Sequence, residues 1–306
     1  NIKIKLLNYT TFKALEALKK MSSPSCVVKR DGKIKEIKAE DLVVGDLVVL
    51  EEGRIVPADL RLVETINMKV DESSLTGESI PVEKNADIIY CFGWSQIIKK
   101  ELLEITPMGV IGFHPAALPN NRGRHPIIWA LALGLNETAS TFFKMDEGAD
   151  TGDIVSQVKI PICESDYAAD LYENIMCAAK KQVLEFTENL ENGSCRTISQ
   201  KKQEGNTWRK RGRKDGIIDW RMGSSAIYNL IRALSHPYIG AEFEYKEKYY
   251  KVWKSEIVKS DGKYQNIEPG RIIKKVSDHE FYVKSYDDII HILECDTIDA
   301  LEGECL

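Results

Sequence analysis

The stretch FHPAALPNNRGRHPIIWALALGLNETASTFFKMDEGADTGDIV, residues 113–155, decides the fold of most of this chain. Its opening, HPAALPNNRGRHP, is dense in Pro, Asn and Gly and reads as a loop. IIWALALGL then supplies an apolar helix, and STFFKMD a strand that delivers the polar turn EGADTGD before the next strand, IVSQVKIPI. Just upstream, ADIIYCFG is the continuous apolar run of a buried parallel strand. SQIIKKELLEI has the spacing of an amphipathic helix, and MGVIGF is a strand running straight into His114. Alternating β and α elements imply an open, mostly parallel sheet, whose chemistry sits beyond the carboxyl ends of its strands. His114 and Asp150 both fall just beyond such ends. Each also has a plainer reading, because a His beside Pro can be structural and an Asp in GADTGD can cap a turn.

Working outward, SDYAADLYENIMCAAKKQVLEFTENLENG has a capping Ser165, helical spacing and a stop at Gly193, which predicts a long helix packed on the sheet. WRKRGRKDG, residues 208–216, is a basic linker that reads either as a solvated loop or as a contact for an anionic acceptor. A short helix over 226–234 precedes alternating strands in AEFEYKEKYYKVWKSEIV, GRIIKKV, EFYVKSY and DIIHILEC, with Tyr249, Tyr250 and Trp253 as core and rim. At the other end, TTFKALEALKKM, residues 10–21, has helical spacing and is stopped by SSPS. CVVKRDGKIKEIK then reads as a strand, an Asp-Gly turn and a strand, and GDLVVLEEG and ADLRLVET as further short strands, making a small β-rich domain.

The chain of 306 residues, 43% hydrophobic and 29% charged, has the composition of an ordinary globular protein. Its longest apolar run is far short of the roughly 20 residues that cross a bilayer, so no span is expected. Seven scattered cysteines without a C-x-x-C pair argue for reduced thiols and against zinc, and with the lack of a leader point to a cytoplasmic chain, read here as a fragment. The net charge of −5 divides into −1 over residues 1–87 and −4 over the rest, which excludes a general polyanion binder by bulk charge.

Two resemblances follow from these motifs. GDLVVLEEG, VPADLRLVE and VDESSLTGESIPVEK resemble, in order and spacing over about residues 10–85, the actuator domain of P-type cation-transporting ATPases of the calcium-pump kind. The resemblance gives Thr76, Gly77, Glu78 and Ser79 the place of a loop that helps hydrolyse an aspartyl phosphate, with Glu78 positioning the water. No Asp-Lys-Thr-Gly site, nucleotide domain or membrane bundle follows, so pumping is not expected of this chain. The stretch from FGW through FHPAALPNNRGRHP and GADTGD to DGIIDWRMGSSAIYNLIRAL resembles formyltransferases that use 10-formyltetrahydrofolate, of the methionyl-tRNA and amino-sugar kinds, over about residues 86–306.

That second resemblance implies attack of an amine on a formyl carbon. His114 would donate to the oxyanion, while Asp150 would keep the imidazole correctly charged and help take the amine's proton. It implies a folate pterin held by backbone of two loops, Phe92-Gly93-Trp94 and Gly148-Ala149-Asp150-Thr151-Gly152, with Leu118 and Pro119 as wall, and it implies no metal. Two departures stand out: Gly112 occupies the place of an Asn that would be a second oxyanion donor, and Ala116-Ala117-Leu118-Pro119 replaces Ser-Leu-Leu-Pro. The family's first half-sheet, about ninety residues, is replaced by the actuator-like segment, which would leave strand edges and apolar faces uncovered.

The expected fold is therefore α/β, an incomplete doubly wound parallel sheet with a small N-terminal β-rich domain and a small C-terminal β-barrel. The expected domains are residues 1–86, 87–207 and 208–306, and GESIPVEKNADIIYCFGWSQIIKKE, residues 77–101, reads as a seam between two proteins. The leading expectation is formyl transfer from 10-formyltetrahydrofolate to an amine on a sugar nucleotide or on methionyl-tRNA, with the acidic body favouring the sugar. The alternatives are a non-catalytic module acting through the actuator-like domain, or an inactive chimera of two genes.

Overall fold

The structure, a computed structural model, describes residues 25–51, 56–58, 60, 69–70, 82–83, 87–93, 97–201 and 203–306. The chain divides into two compact units, residues 1–85 and 86–306.

In the first unit, β1 (Ser25–Arg30) and β2 (Lys33–Lys38) form a hairpin whose turn is Asp31-Gly32, both at positive φ, as an Asp-Gly turn requires. β3 (Leu47–Val49) pairs antiparallel on the other side of β1, and the inward side chains of β1, Cys26 and Val28, are buried. Arg30 ties the end of β1 to the turn before β3: its Nε and Nη2 donate to the Asp46 carboxylate, which also accepts the Val43 amide and is held at about 2 by these bonds. β4 (Lys69–Val70) and β5 (Val82–Glu83) form a separate antiparallel pair. The helix expected over 10–21 and the Thr76 to Ser79 loop lie outside the described residues.

The second unit begins with β6 (Ile89–Cys91), α1 (Lys100–Leu103) and β7 (Val110–His114), followed by β8 (Arg122–Gly123), α2 (Pro126–Ala132), β9 (Glu137–Lys144) and β10 (Ile154–Pro161). The sheet order is β10-β9-β7-β6. It departs from the expected mostly parallel arrangement: within this sheet only β6–β7 is parallel among the described residues, while β7–β9 and β9–β10 are antiparallel. For β9–β10 the reason is the polar turn after β9. Parallel neighbours need a long crossover, but here Asp146 accepts the Gly148 amide and the Thr151 hydroxyl, and the Lys144 amide reaches the Asp153 carbonyl, so the chain folds straight back. β6 is half-buried rather than buried because it is the edge strand among the described residues, and α1 is much shorter than its apolar spacing suggested.

Along β7 the pleat sends Ile111 and Phe113 to one face and Gly112 and His114 to the other. The first face, with Phe142, is covered by the long helix α3 (Ala168–Glu191) through Ala179 and Phe186. Asp166, beside the expected cap Ser165, is spent on a tight turn with Cys163. Tyr167 is therefore the cap residue before Ala168, its amide bonded by Asp170, and the helix is stopped as expected at Gly193 in the left-handed region. The opposite face carries Leu118, Phe143, Ile154 and Met145 beside His114.

β11 (Thr207–Trp208) runs parallel to β8 and pins the 120–124 loop. α4 (Ser224–Leu234) packs on a five-stranded antiparallel sheet, in the order β12 (Ala241–Tyr245), β13 (Lys248–Val258), β16 (Ile289–Cys295), β15 (Phe281–Lys284), β14 (Ile272–Lys275). Ile227 and Ile231 of the helix meet Phe243, Val252, Val283 and Ile290 in the core, while Tyr249 is exposed and Tyr250 and Trp253 are half-buried at its rim. Helix α4 begins at Ser224 because Asp287, far along the chain, accepts the Ser224 amide at 2.7 Å. None of the helices is long and apolar enough to cross a membrane among the described residues.

Candidate active site

His114 ends the central strand β7, 5% exposed, with its ring on the face opposite α3. Its Nε2 donates to the Asn121 carbonyl at 2.8 Å, which fixes the ring and assigns that nitrogen its proton. The other nitrogen, Nδ1, faces Asp150 Oδ2 at 3.6 Å. That separation is beyond a hydrogen bond, so Nδ1 keeps its capacity to bond a third group placed between or beside the two. The sequence-predicted pair is thus brought together, with one ring nitrogen anchored and one available.

Asp150 is held by its surroundings from every side. Its backbone sits at φ 56, a conformation that an Asp tolerates and that aims its side chain back across the loop. Oδ2 accepts the Gly123 amide at 2.8 Å, and its carbonyl accepts Gln200 Nε2 and Arg122 Nε. Gln200 also donates to Gly152 O, and Arg122, 5% exposed, reaches Glu204 O and Gln200 Oε1. Gly152 is obligatory, since a Cβ there would stand 1.7 Å from the Lys144 carbonyl oxygen. A Cβ on Gly148 would meet Thr151 Oγ1 at 2.0 Å, a flexible atom that can move.

The wall loop after His114 is fixed from the neighbouring strands. Thr141 Oγ1 donates to Ala116 O at 2.6 Å, Gln157 Nε2 donates to Leu118 O, and the Leu118–Pro119 peptide is cis. Leu118 is buried against Phe143 and Ile154, and Pro119 is half-buried. Asn206 carries the next turn, accepting the Asn121 amide on its side chain and the Arg122 amide on its carbonyl. These anchors, Thr141, Gln157, Gln200 and Asn206, were not singled out from the sequence, because each is a lone polar residue distant in the chain from what it holds.

The remaining sequence-predicted residues divide. Gly148, Ala149, Thr151 and Gly152 belong to the same loop as Asp150, with Gly148 and Ala149 exposed. A cavity of about 410 Å³ opens beside them, lined by Met145, Asp146, Glu147 and Gly148 and by Lys100, Leu103 and Glu104 of the α1 region, which is within the size range of small-molecule sites. Phe92 instead turns its ring toward Phe142 at 5.3 Å and Phe113 at 6.4 Å, on the α3 side of the sheet, so its side chain is not in the His114 cluster. Gly93 has φ 71, and Trp94 lies outside the described residues. At Gly112, a Cβ would meet Met145 Cγ at 2.8 Å and Phe143 Cζ at 3.1 Å. The space for a second donor beside His114 is therefore filled by apolar atoms.

Three segments match family descriptions: residues 20–105 the P-type ATPase actuator domain, residues 70–187 formyl transferase, and residues 211–300 the formyl transferase C-terminal domain. The first two overlap across the boundary between the units. Among solved structures, the chain is similar to HypX from Aquifex aeolicus in complex with tetrahydrofolic acid, with a TM-score of 0.55 and 20% identity over 69% of this chain and 36% of that one. It is also similar to the N-formyltransferase from Helicobacter canadensis in complex with folinic acid and dTDP-3-aminofucose, with a TM-score of 0.50 and 20% identity over 67% of this chain and 73% of that one. The chain spans about a third of the length of HypX, and identities at this level speak for the fold alone.

Proposed function

With the two formyl transferase domains matched over residues 70–187 and 211–300 as premise, we propose that this chain moves a formyl group from 10-formyltetrahydrofolate to an amine. The observation that carries the reading is the His114–Asp150 pair, anchored on one side and open at Nδ1 on the other. When bound, the folate supplies an activated formyl group. His114 Nδ1–H is then directed at the oxygen on which negative charge develops, and Asp150 balances the imidazolium and accepts the proton released by the attacking amine. The Gly123 amide holds the carboxylate so that only small motion is needed to reach either partner. The loop of residues 148–152, the Leu118–Pro119 wall and backbone at Phe92, Gly93 and Trp94 are proposed to hold the pterin. The cavity beside Gly148 supports that placement.

In this reading the four-stranded sheet is part of a doubly wound sheet, the C-terminal sheet is a small barrel, and the domains are residues 1–86, 87–207 and 208–306. The acceptor is an amino sugar on a nucleotide rather than methionyl-tRNA, and the setting is the cytoplasm, in keeping with seven cysteines that carry no disulfide. The test is incubation with 10-formyltetrahydrofolate and a panel of amine acceptors, beside His114→Ala and Asp150→Ala. Transfer that is absent for every acceptor, or equal in parent and both variants, overturns the assignment.

A second reading, a join of an actuator-like module to a formyl transferase remnant, is favoured by one observation: the unit boundary at residues 85/86 falls inside the overlap of the two family matches. Sequencing intact DNA across the codons for residues 85–90 tests it, and an uninterrupted natural reading frame there sinks the idea of an artefactual join.

A further inference from the structure

The carbonyl that anchors His114 belongs to a residue whose backbone does not hold itself in place. Asn121 has φ 64, in the left-handed region, where a residue with a Cβ is disfavoured unless other bonds keep it there. Those bonds come from a residue 85 positions away. Asn206 Oδ1 accepts the Asn121 amide at 2.9 Å, and Asn206 O accepts the Arg122 amide at 3.0 Å. The two bonds bracket Asn121 on either side. The second acts on the very peptide unit that serves the histidine: its N–H is that of Arg122, and its C=O, on the opposite side of a trans peptide, accepts His114 Nε2–H at 2.8 Å. A peptide bonded at its N–H is also a stronger acceptor at its oxygen. Asn206 thus governs both the direction and the strength of the bond at Nε2.

Close backbone approach puts Asn206 there. Gly205 has φ 85, and a Cβ on it would stand 1.9 Å from the Pro119 carbonyl oxygen and 2.5 Å from the carbonyl carbon. On the far side, Thr207 and Trp208 pair with Arg122 and Gly123.

A neutral imidazole has one proton, and two acceptors compete for it. Asn121 O lies 2.8 Å from Nε2, and Asp150 Oδ2 lies 3.6 Å from Nδ1. The carboxylate is charged, and a charged acceptor makes the stronger bond once it is within reach. Slackening at Asn121 would therefore hand the proton to Nδ1 and close the ring onto Asp150. We propose that Asn206 is a positioning residue that sets the tautomer of His114, a role that rests on the formyl-transfer reading for its catalytic consequence only. By locking Asn121 it keeps the proton of the neutral ring on Nε2 and leaves Nδ1 as the nitrogen that gains and loses a proton.

The experiment is ¹⁵N nuclear magnetic resonance of the imidazole nitrogens in the whole chain at about pH 9, where an imidazole is ordinarily neutral. The parent is compared with Asn206→Ala, Asn206→Asp and Gly205→Ala, and His114→Ala assigns the His114 signals by their loss. The parent shows the Nε2–H form. In Asn206→Ala the share of the Nδ1–H form rises about fivefold, as loss of one hydrogen bond allows, and Gly205→Ala, which displaces both bonds, shows at least as much. Asn206→Asp still offers an oxygen to the Asn121 amide and resembles the parent. Asn206 is exposed, so its alanine variant opens no cavity and keeps the parent's melting temperature even where Gly205→Ala does not fold. The His291 signals, from a ring bonded at both nitrogens on β16, stay unchanged throughout. In transfer assays Asn206→Ala lowers kcat about tenfold with KM for the folate unchanged, and Asn206→Asp restores it.

A parent in the Nδ1–H form, an Asn206→Ala variant with the parent's tautomer, or an Asn206→Asp variant that behaves like Asn206→Ala overturns the proposal. So does a shifted tautomer with undiminished kcat. A parent that transfers no formyl group yet shows the dependence of the tautomer on Asn206 sinks the formyl-transfer reading and leaves the lock on His114 standing.

Discussion

The end of β7 and the middle of β16 each bury a histidine beside carboxylates, and the two are completed differently. His291 on β16 is 6% exposed, with Nδ1 at 2.8 Å from Glu256 and Nε2 at 2.9 Å from Glu280, and its ring stacks on Tyr282 at 3.9 Å. Both nitrogens can donate to both carboxylates only as the imidazolium, and the arrangement then ties β13 and β16 to the start of β15. His114 has one nitrogen on a carbonyl and the other facing Asp150 across 3.6 Å. A histidine whose bonds are all made holds strands together; one that leaves a nitrogen unbonded at a strand end is equipped to serve a reacting group.

The comparison breaks most visibly at His114 itself. His114→Ala is expected to lower the transfer rate by about 10²–10⁴ with little change in melting. His291→Ala is expected to do the reverse. It leaves two partly exposed glutamates without their partner, lowers stability by about 1–2 kcal/mol and spares the rate per folded molecule. Rates and thermal melts on both variants check this, and a His291 variant that is folded but inactive would refute it. Asp150→Asn is a smaller perturbation. Its amide oxygen can still accept the Gly123 N–H, so the loop persists while the charge is lost, and kcat should fall about 10²-fold with KM for the folate little changed. A matching rise in KM would instead make Asp150 a binding residue.

His114 and Asp150 were legible in the sequence because short motifs mark them: an apolar strand ending in His-Pro, and a polar GADTGD turn between two strand patterns. What holds them was not legible. Gln200 and Asn206 act on residues some 50 to 85 positions away, and no local period announces them. The parallel sheet was misread for a related reason: β9 and β10 each look like buried strands, but their relative direction is set by the Asp146-capped turn, which the residue pattern alone does not weigh. In the C-terminal sheet the alternating patterns sufficed, because antiparallel neighbours joined by short turns leave few other pairings.

Two glycines, Gly152 in the loop that carries Asp150 and Gly212 in the 208–216 linker, sharpen the contrast at the level of stability. Gly152→Ala drives a methyl group against the Lys144 carbonyl, which is backbone and cannot swing away, and should cost about 1–3 kcal/mol along with activity. Gly212→Ala, where a Cβ meets nothing within 4 Å, should be close to neutral. Denaturant midpoints of the two variants decide the matter, and equal midpoints would mean that the loop relaxes around the new methyl group.

The smallest expected effect belongs to the C-terminal sheet and concerns acid. Burial pushes the Asp287 carboxyl up, but the Ser224 and Asp288 amides that it accepts outweigh burial and hold it at about 2, below the ordinary 3.8. A carboxyl depressed in the folded state adds stability that is fully present above the unfolded value and is lost as pH falls from about 4 through about 2. Because Asp287 is exposed, solvent screening leaves about 1 kcal/mol of this. Asp287→Asn keeps an acceptor for the Ser224 amide at the start of α4 and removes only the charge. Its melting temperature should therefore fall less than the parent's as pH drops from about 5 to about 2. Coincident curves would show that Asp287 holds the helix by hydrogen bonding alone.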